Sequence, residues 1–433
     1  MKELLKHVNI LSVLISFLFF TNVKSQRIKD SVRIEIDFNK KVENVKSMSG
    51  FLHYDNIKLL QSNIIELQPK YWRIGYTYKS VDDVTFLRKL GITPILVISD
   101  VYGYPGKKNN KEWSHPLYTD RLKKIITDEY RKFKNTVIYD IWNEPFHQDG
   151  FGDFDKEEYY RIFKKAHDII RSLPGGQKAL ITGPSFDRYD EREMEDFLRF
   201  CNSNKIRVDI LSWHEWRDGM YEDAFSKDVK KLRNVILPKY PNVGVKKIVL
   251  NEIINQYSQF SPSEVLQVFK MLEDNDIDGA CKGCWKESDG AFNCNNSMNG
   301  LLDKNGNPRS VWWAYKIYNQ STKNRVSSID NYEQLSLFAS YNNNGEYVII
   351  NNNSGNRIAN ASVGLKNLLN VKKNVKSLDI QVYEIPDTNE APLKELILTQ
   401  KLNIRVNRNI TTFIIPSMNP KTVYYLSISN NFN

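Results

Sequence analysis

Apolar positions along this chain follow two textures, and the change between them falls near Ser327. Upstream, short apolar runs alternate with stretches of helical period. The runs are Met48–Leu52, Tyr71–Ile74, Thr93–Ile98, Val137–Ile141, Lys178–Thr182, Val208–Trp213, Lys247–Glu252 and Asp278–Trp285. Helix signals separate them. Ser80 with Asp83 opens one helix that Gly91 stops, and Asp155 with Glu158 opens another that runs to Arg171. Glu191–Phe200 and Asp223–Tyr240 follow. Ser261-Pro262-Ser263-Glu264 then combines a capping box with a first-turn proline, and Ser310–Gln320 is a final amphipathic stretch. Strands that are apolar throughout and separated by helices predict a parallel sheet closed into a (β/α)8 TIM barrel, with its site at the strands' C-terminal ends.

Downstream the helical period disappears. Leu335–Ser340, Glu346–Asn351, Ala361–Lys366, Ser377–Tyr383, Leu396–Leu402, Thr411–Pro416 and Thr422–Ser429 are strand-like runs separated by Asn/Gly/Pro turns. Such spacing predicts a C-terminal β-sandwich. Val32–Phe38 alternates as a half-buried strand and is open to joining that sandwich. The expected organisation is a signal peptide over 1–25, an N-terminal strand segment over 26–46, a catalytic barrel over 47–325 and a sandwich over 326–433.

Charge and cysteine change the picture only modestly. Lys2 and Lys6 precede the apolar run Ile10–Phe20, and Val23-Lys24-Ser25 suits a cleavage site, so export to the periplasm or exterior is expected after cutting near Ser25. The apolar run is short for a membrane span. Cleavage would lower the formal charge of +10 by two, and the basic residues are mixed with acidic ones rather than gathered into a tract. That speaks against nucleic acid as a partner and leaves an anionic glycan open. Among the four cysteines, Cys281 and Cys284 face opposite ways in a strand, which favours a disulfide between Cys284 and Cys294 across the following loop. No second pair or histidine cluster completes a metal set, and no nucleotide loop is visible, so neither metal nor cofactor is expected.

The chemistry concentrates on Val137-Ile138-Tyr139-Asp140-Ile141-Trp142-Asn143-Glu144-Pro145, where a buried strand stops at a proline and leaves Glu144 at its mouth. Desolvation there is expected to raise the carboxyl's pKa, as a proton donor requires. Lys247–Glu252 also ends on an Asn-Glu pair. Two carboxylates closing two buried strands suggest glycoside hydrolysis, the alternative being that each merely caps a strand on a solvated rim.

With Trp142-Asn143-Glu144-Pro145 after the fourth strand, Ser212-Trp213-His214 after the sixth and Glu252 after the seventh, the chain resembles a clan A glycoside hydrolase. It is most like family 39, the β-xylosidase and α-L-iduronidase family. The resemblance implies that Glu144 is the acid/base and Glu252 the nucleophile of a retaining mechanism. It also implies that Asn143 binds the sugar 2-hydroxyl and that Arg73 orients the nucleophile. His53, His214, Tyr257 and Trp285 are further substrate-binding candidates at the strand mouths or just beyond them. Glu215-Trp216 departs from the family's Tyr two residues after the strand-six His, and Ile253-Ile254 stands where a polar or aromatic tail is expected after the nucleophile, which leaves the sugar open. Long loops, Tyr102–His115 and Lys286–Asn299, favour a blind pocket and exo action. An endo-acting glycanase and an inactive carbohydrate-binding barrel are the alternatives.

Overall fold

The computed structural model describes residues 28–53, 57–75, 81–103, 114–147, 152, 154–294, 297–343 and 345–430. The expected signal peptide, and Tyr104 and Trp113 of the aromatic loop, lie outside the described residues. Two N-terminal strands come first, the short β1 (Ile28–Lys29) and the longer β2 (Val32–Lys41). The barrel strands are β3 (Gly50–Leu52), β4 (Tyr71–Ile74), β5 (Thr93–Val97), β6 (Ile138–Asp140), β7 (Leu180–Phe186), β8 (Ile210–Glu215), β9 (Lys247–Ile253) and β10 (Gly279–Lys282). Each pairs in parallel with the next. At the seam β10 lies against β3 so closely that a Cβ on Gly50 would sit 2.3 Å from the Ala280 carbonyl oxygen. Only glycine fits that approach.

Helices cover the outside: α1 (Gln61–Leu67), α2 (Val81–Lys89), the single-turn α3 (Ile98–Tyr102), α4 (Arg121–Phe133), α5 (Lys156–Ser172), α6 (Glu191–Ser203), α7 (Glu222–Lys231), α8 (Pro262–Asp274) and α9 (Ser310–Gln320). The sequence pattern as read above includes neither α1 nor α4. A signal for α4 is nonetheless present, because Leu122, Ile126, Tyr130 and Phe133 are buried at helical spacing among exposed Lys and Arg. The aromatics just upstream mask it by making the whole stretch resemble a loop. Asp155 and Glu158 do form a reciprocal capping box on α5. The box expected on α8 is absent. Pro262 stands at its start, but Ser261 makes no cap bond, and Glu264 instead accepts from Ser258 Oγ at 2.7 Å and pairs with Lys421 at 3.1 Å.

The second unit is a mixed sheet folded over its own core. Its later strands are β11 (Arg325–Asp330), β12 (Leu335–Asn342), β13 (Gly345–Asn352), β14 (Arg357–Lys366), β15 (Ser377–Ile385), β16 (Ile397–Arg405), β17 (Ile410–Met418) and β18 (Thr422–Asn430). The strand order is β1-β14-β2-β11-β12-β13-β18-β15-β16, with β17 on β14. The early strand β2 is inserted between β14 and β11, parallel to the first and antiparallel to the second. Its alternation places Val32, Ile34 and Ile36 in the sandwich core with Val363, Leu365, Leu426 and Ile428. The architecture is therefore a TIM barrel followed by a β-sandwich. Among the described residues no helix is long and apolar enough to cross a membrane.

Candidate active site

The site grows out of the barrel's alternation. Tyr71, Ile95, Ile138, Ile210, Val249 and Cys281 form an apolar layer across the barrel interior. Two residues further along four of these strands the same face carries Arg73, Asp140, Ser212 and Asn251. All four are buried. A polar layer therefore sits one strand step above the apolar floor. Asn251 Nδ2 donates to Asp140 and to Ser185 Oγ, both at 2.8 Å, and Ser185 Oγ donates to Asp140 at 2.7 Å.

Arg73 is the centre of that layer. Its Nε donates to Asp140 at 2.9 Å, its Nη2 to Asn143 Oδ1 at 2.8 Å, and its Nη1 to Glu252 Oε1 at 2.6 Å. With only 1% of its surface exposed, this guanidinium is no solvated rim group. One planar fork thus fixes three side chains from the ends of two strands, β6 and β9, which a lysine's point charge cannot do.

Above this layer His214 stands between the two glutamates. Its Nδ1 is 2.8 Å from Glu144 Oε1 and its Nε2 is 3.6 Å from Glu252 Oε1. His214 is two positions beyond Ser212 on β8, so strand alternation aims it inward. Glu144 leaves its strand with φ of 42°, a left-handed conformation rare for this residue, and its N–H donates to the Ser185 carbonyl at 3.0 Å. A proline after Glu144 predicts an extended backbone; the bond to Ser185 and the turn into Pro145 override it.

The expected upward shift of Glu144 is not found. Burial pushes its carboxyl up, but the hydrogen bond and charge of His214, with His147 and Arg73, hold it below the ordinary value. Glu252 moves the other way. Burial raises it, Glu144 and Asp140 add to the rise, and His214 and Arg73 pull against it. His53 closes β3 with φ of 49° and lies 3.7 Å from Asp100. Burial and the nearby Arg73 bring His53 down to about 3, which leaves it neutral.

Trp285 lies just past β10, half-buried, with its Nε1 donating to the Ile254 carbonyl at 2.8 Å. Its ring meets Trp216 edge-on at 4.9 Å, and Trp216 in turn meets His214 at 5.5 Å. Trp216 therefore stands at the site, while Glu215 turns away and accepts from Arg217 at 2.7 Å. Tyr257 is 89% exposed on the loop after β9, outside the cluster that unites Arg73, Asn143, Glu144, His214 and Glu252. Sequence reasoning alone misses Asp140, Ser185, Ser212 and Asn251. A lone aspartate in an apolar strand is a readable sign of Asp140, and Asn251 precedes Glu252 as Asn143 precedes Glu144. Nothing in the pattern marks Ser185, whose place depends on the backbone turn after Pro184.

Known proteins resemble this chain in sequence and in fold. The model of the glycosyl hydrolases family 39 matches residues 105–259. A beta-xylosidase of Caldicellulosiruptor saccharolyticus is 21% identical over 423 residues, spanning 82% of this chain and 84% of that protein. Among solved structures, N2152 from Neocallimastix frontalis superposes with a TM-score of 0.74 at 19% identity, covering 93% of this chain and all of that one (100%). A monomeric beta-xylosidase from Caulobacter crescentus CB15 superposes at 0.67 with 13% identity, covering 93% and 99% of the two chains. At such identities the structural likeness speaks for the fold, and the family match speaks for the chemistry. The chain is a glycosidase that hydrolyses O-glycosyl bonds, and its likeness is to the retaining glycosyl hydrolases of family 39.

Proposed function

We propose that this protein is an exported, exo-acting retaining glycosidase in which Glu252 is the nucleophile and Glu144 the general acid/base. The observation that carries this reading is the convergence of both carboxyls on His214, with Glu252 alone also held by Arg73. A nucleophile must be ionised and aimed, and the Arg73 fork supplies both an opposite charge and a fixed direction. Glu144 is not bonded to Arg73; its hydrogen-bond partner is His214.

In the first step Glu252 attacks the anomeric carbon, the glycosidic C–O bond breaks, and the proton of Glu144 goes to the leaving oxygen. In the second, Glu144 takes a proton from water, water adds at the anomeric carbon, and Glu252 leaves as carboxylate. The charges of the two glutamates raise each other's proton affinity. Esterifying Glu252 removes one of them and turns Glu144 from acid to base. In the resting site His214 depresses Glu144, so a bound sugar must favour its protonated form by excluding water from the mouth.

The segment after β10 is read as a wall of a pocket for a terminal sugar, while most of the expected companion wall, Tyr102–His115, lies outside the described residues. The relatives' beta-xylosidase activity makes β-xylosides the first substrates to try, and the basic chain keeps uronate-bearing glycans on the panel. The test is hydrolysis of defined oligosaccharides followed by NMR of the first product. Release of single terminal units with the anomeric configuration kept supports the reading. Early mid-chain fragments would make the enzyme endo-acting, and no hydrolysis of any substrate would leave a binding barrel.

A further inference from the structure

The residues after β10 form a hairpin whose anchoring reaches into the sandwich. Cys284 and Cys294 close it with a disulfide. Inside that ring Asn293 N donates to the Trp285 carbonyl and Asn293 Oδ1 accepts from Trp285 N, both at 2.9 Å, and Glu287 N donates to Ala291 O at 2.8 Å. Gln259 ties the loop after β9 to this hairpin, donating to the Lys286 carbonyl at 3.2 Å and accepting from Asn293 Nδ2 at 2.7 Å.

Two groups outside the hairpin hold its far side. Arg309, 3% exposed, pairs with the Glu287 carboxylate at 2.8 and 3.2 Å, donates to the Gly300 carbonyl at 3.0 Å and lies 4.8 Å over the Phe260 ring. Its Nε donates to the carbonyl of Glu390, in the connection between β15 and β16, at 2.9 Å. The Glu390 carboxylate in turn accepts from Ser288 N at 2.8 Å and from Ser288 Oγ at 2.6 Å. That connection is itself seated on the barrel, since Leu393 N donates to Pro308 O at 2.8 Å and Trp313 Nε1 to Leu393 O at 2.7 Å.

The hairpin presents a face suited to a sugar. Phe292 is 57% exposed, with the Lys286 ammonium 5.4 Å from its ring centre, and the neighbouring loop carries the exposed Tyr257. Exposed rings beside a cation suit the apolar face of a pyranose and a polar or anionic substituent on it. Through Trp285 and Trp216 the same hairpin connects to His214. Phe292 is exposed where the Glu144 and Glu252 side chains are largely covered, which puts this face toward solvent from the two carboxyls.

We propose that the Cys284–Cys294 hairpin binds the sugar ring beyond the scissile bond, and that Glu390 of the sandwich is the residue that positions it. The proposal rests on the assignment of Glu144 and Glu252. Glu390 touches no substrate, so its loss acts through the hairpin. The test compares a xylo-oligosaccharide with an activated aryl xyloside, whose leaving group brings no sugar to the hairpin. Glu390→Ala should raise KM for the oligosaccharide about tenfold with kcat within about twofold, and should change kcat/KM for the aryl substrate by less than about threefold. Glu390→Gln keeps an acceptor for Ser288 and should restore most of the loss. Equal losses on both substrates, or an unchanged oligosaccharide KM, would overturn it, as would failure of the Gln variant to rescue at an unaltered melting temperature. Glu144→Gln and Glu252→Gln, measured in parallel, separate the two readings. If they behave as acid/base and nucleophile while Glu390→Ala shows no split, only the positioning role falls.

Discussion

The Nδ1 of His214 lies 2.8 Å from Oε1 of Glu144, close enough to lower that carboxyl despite its burial. Protonated Glu144 and ionised Glu252 are both required for the first step, and with Glu144 lowered and Glu252 raised it is the acidic limb of kcat/KM in the free enzyme that should report Glu144. Removing the imidazole removes the opposing charge and leaves desolvation in control. His214→Ala should therefore move the acidic limb to higher pH, whatever happens to the absolute rate. A limb that stays or moves to lower pH contradicts the role given to this contact.

The two glutamates should divide their labour by leaving group. Glu144→Gln should cost about 10²–10⁴-fold on natural glycosides but far less on activated aryl glycosides, which need little protonation to depart. Glu252→Gln should remove nearly all turnover on both. Steady-state kinetics on a matched pair of substrates decides between this and equal losses, which would count against the assignment.

Arg73 should tolerate no substitute. Arg73→Lys keeps the charge but cannot reach Asp140, Asn143 and Glu252 together. Misplacing Glu252 by about an ångström should lower kcat about 10²-fold with the fold intact by circular dichroism. Near-normal kcat in that variant would show that the nucleophile does not depend on the fork.

The barrel is legible in the sequence because its strands are apolar on both faces and helix starts are marked by residues such as Asp155 and Pro262. Glu144 and Glu252 are legible because each stands where such a run stops. The direction in which the Glu144 carboxyl moves is not, since it depends on His214, 70 positions away, meeting it through strand closure. That Asp140, Ser185, Ser212 and Asn251 join into one polar layer is hidden for the same reason, its members being brought together only by the barrel's circumference. Helix α4 escapes because loop-like aromatics adjoin a helical period.

Lys282 makes a stability prediction independent of the site. Fully buried on β10, its ammonium donates to the Asn299 carbonyl at 2.8 Å, and burial with the nearby Arg309 depresses it to about 7. The unfolded chain then binds more protons than the folded one between about pH 7 and the ordinary lysine value, so this group makes stability rise with pH across that window. Lys282→Met should flatten the rise and stabilise the protein at neutral pH by up to a few kcal/mol, because the buried ammonium no longer has to be desolvated. Denaturant midpoints of both proteins from about pH 7 to 10 check it; parallel curves would show that Lys282 keeps its proton throughout.

The central claim is that Glu252 becomes covalently glycosylated. An activated 2-deoxy-2-fluoro glycoside of the sugar the enzyme hydrolyses slows the second step and lets the ester accumulate. Peptide mass spectrometry after trapping should find the added sugar on Glu252 in the segment Lys247–Ile253, with none in Glu252→Gln. The trapped structure should place the Glu144 carboxyl about 5–5.5 Å from that of Glu252. A label on another residue, or carboxyls settled about 6.5–9.5 Å apart with no covalent adduct, would contradict the mechanism.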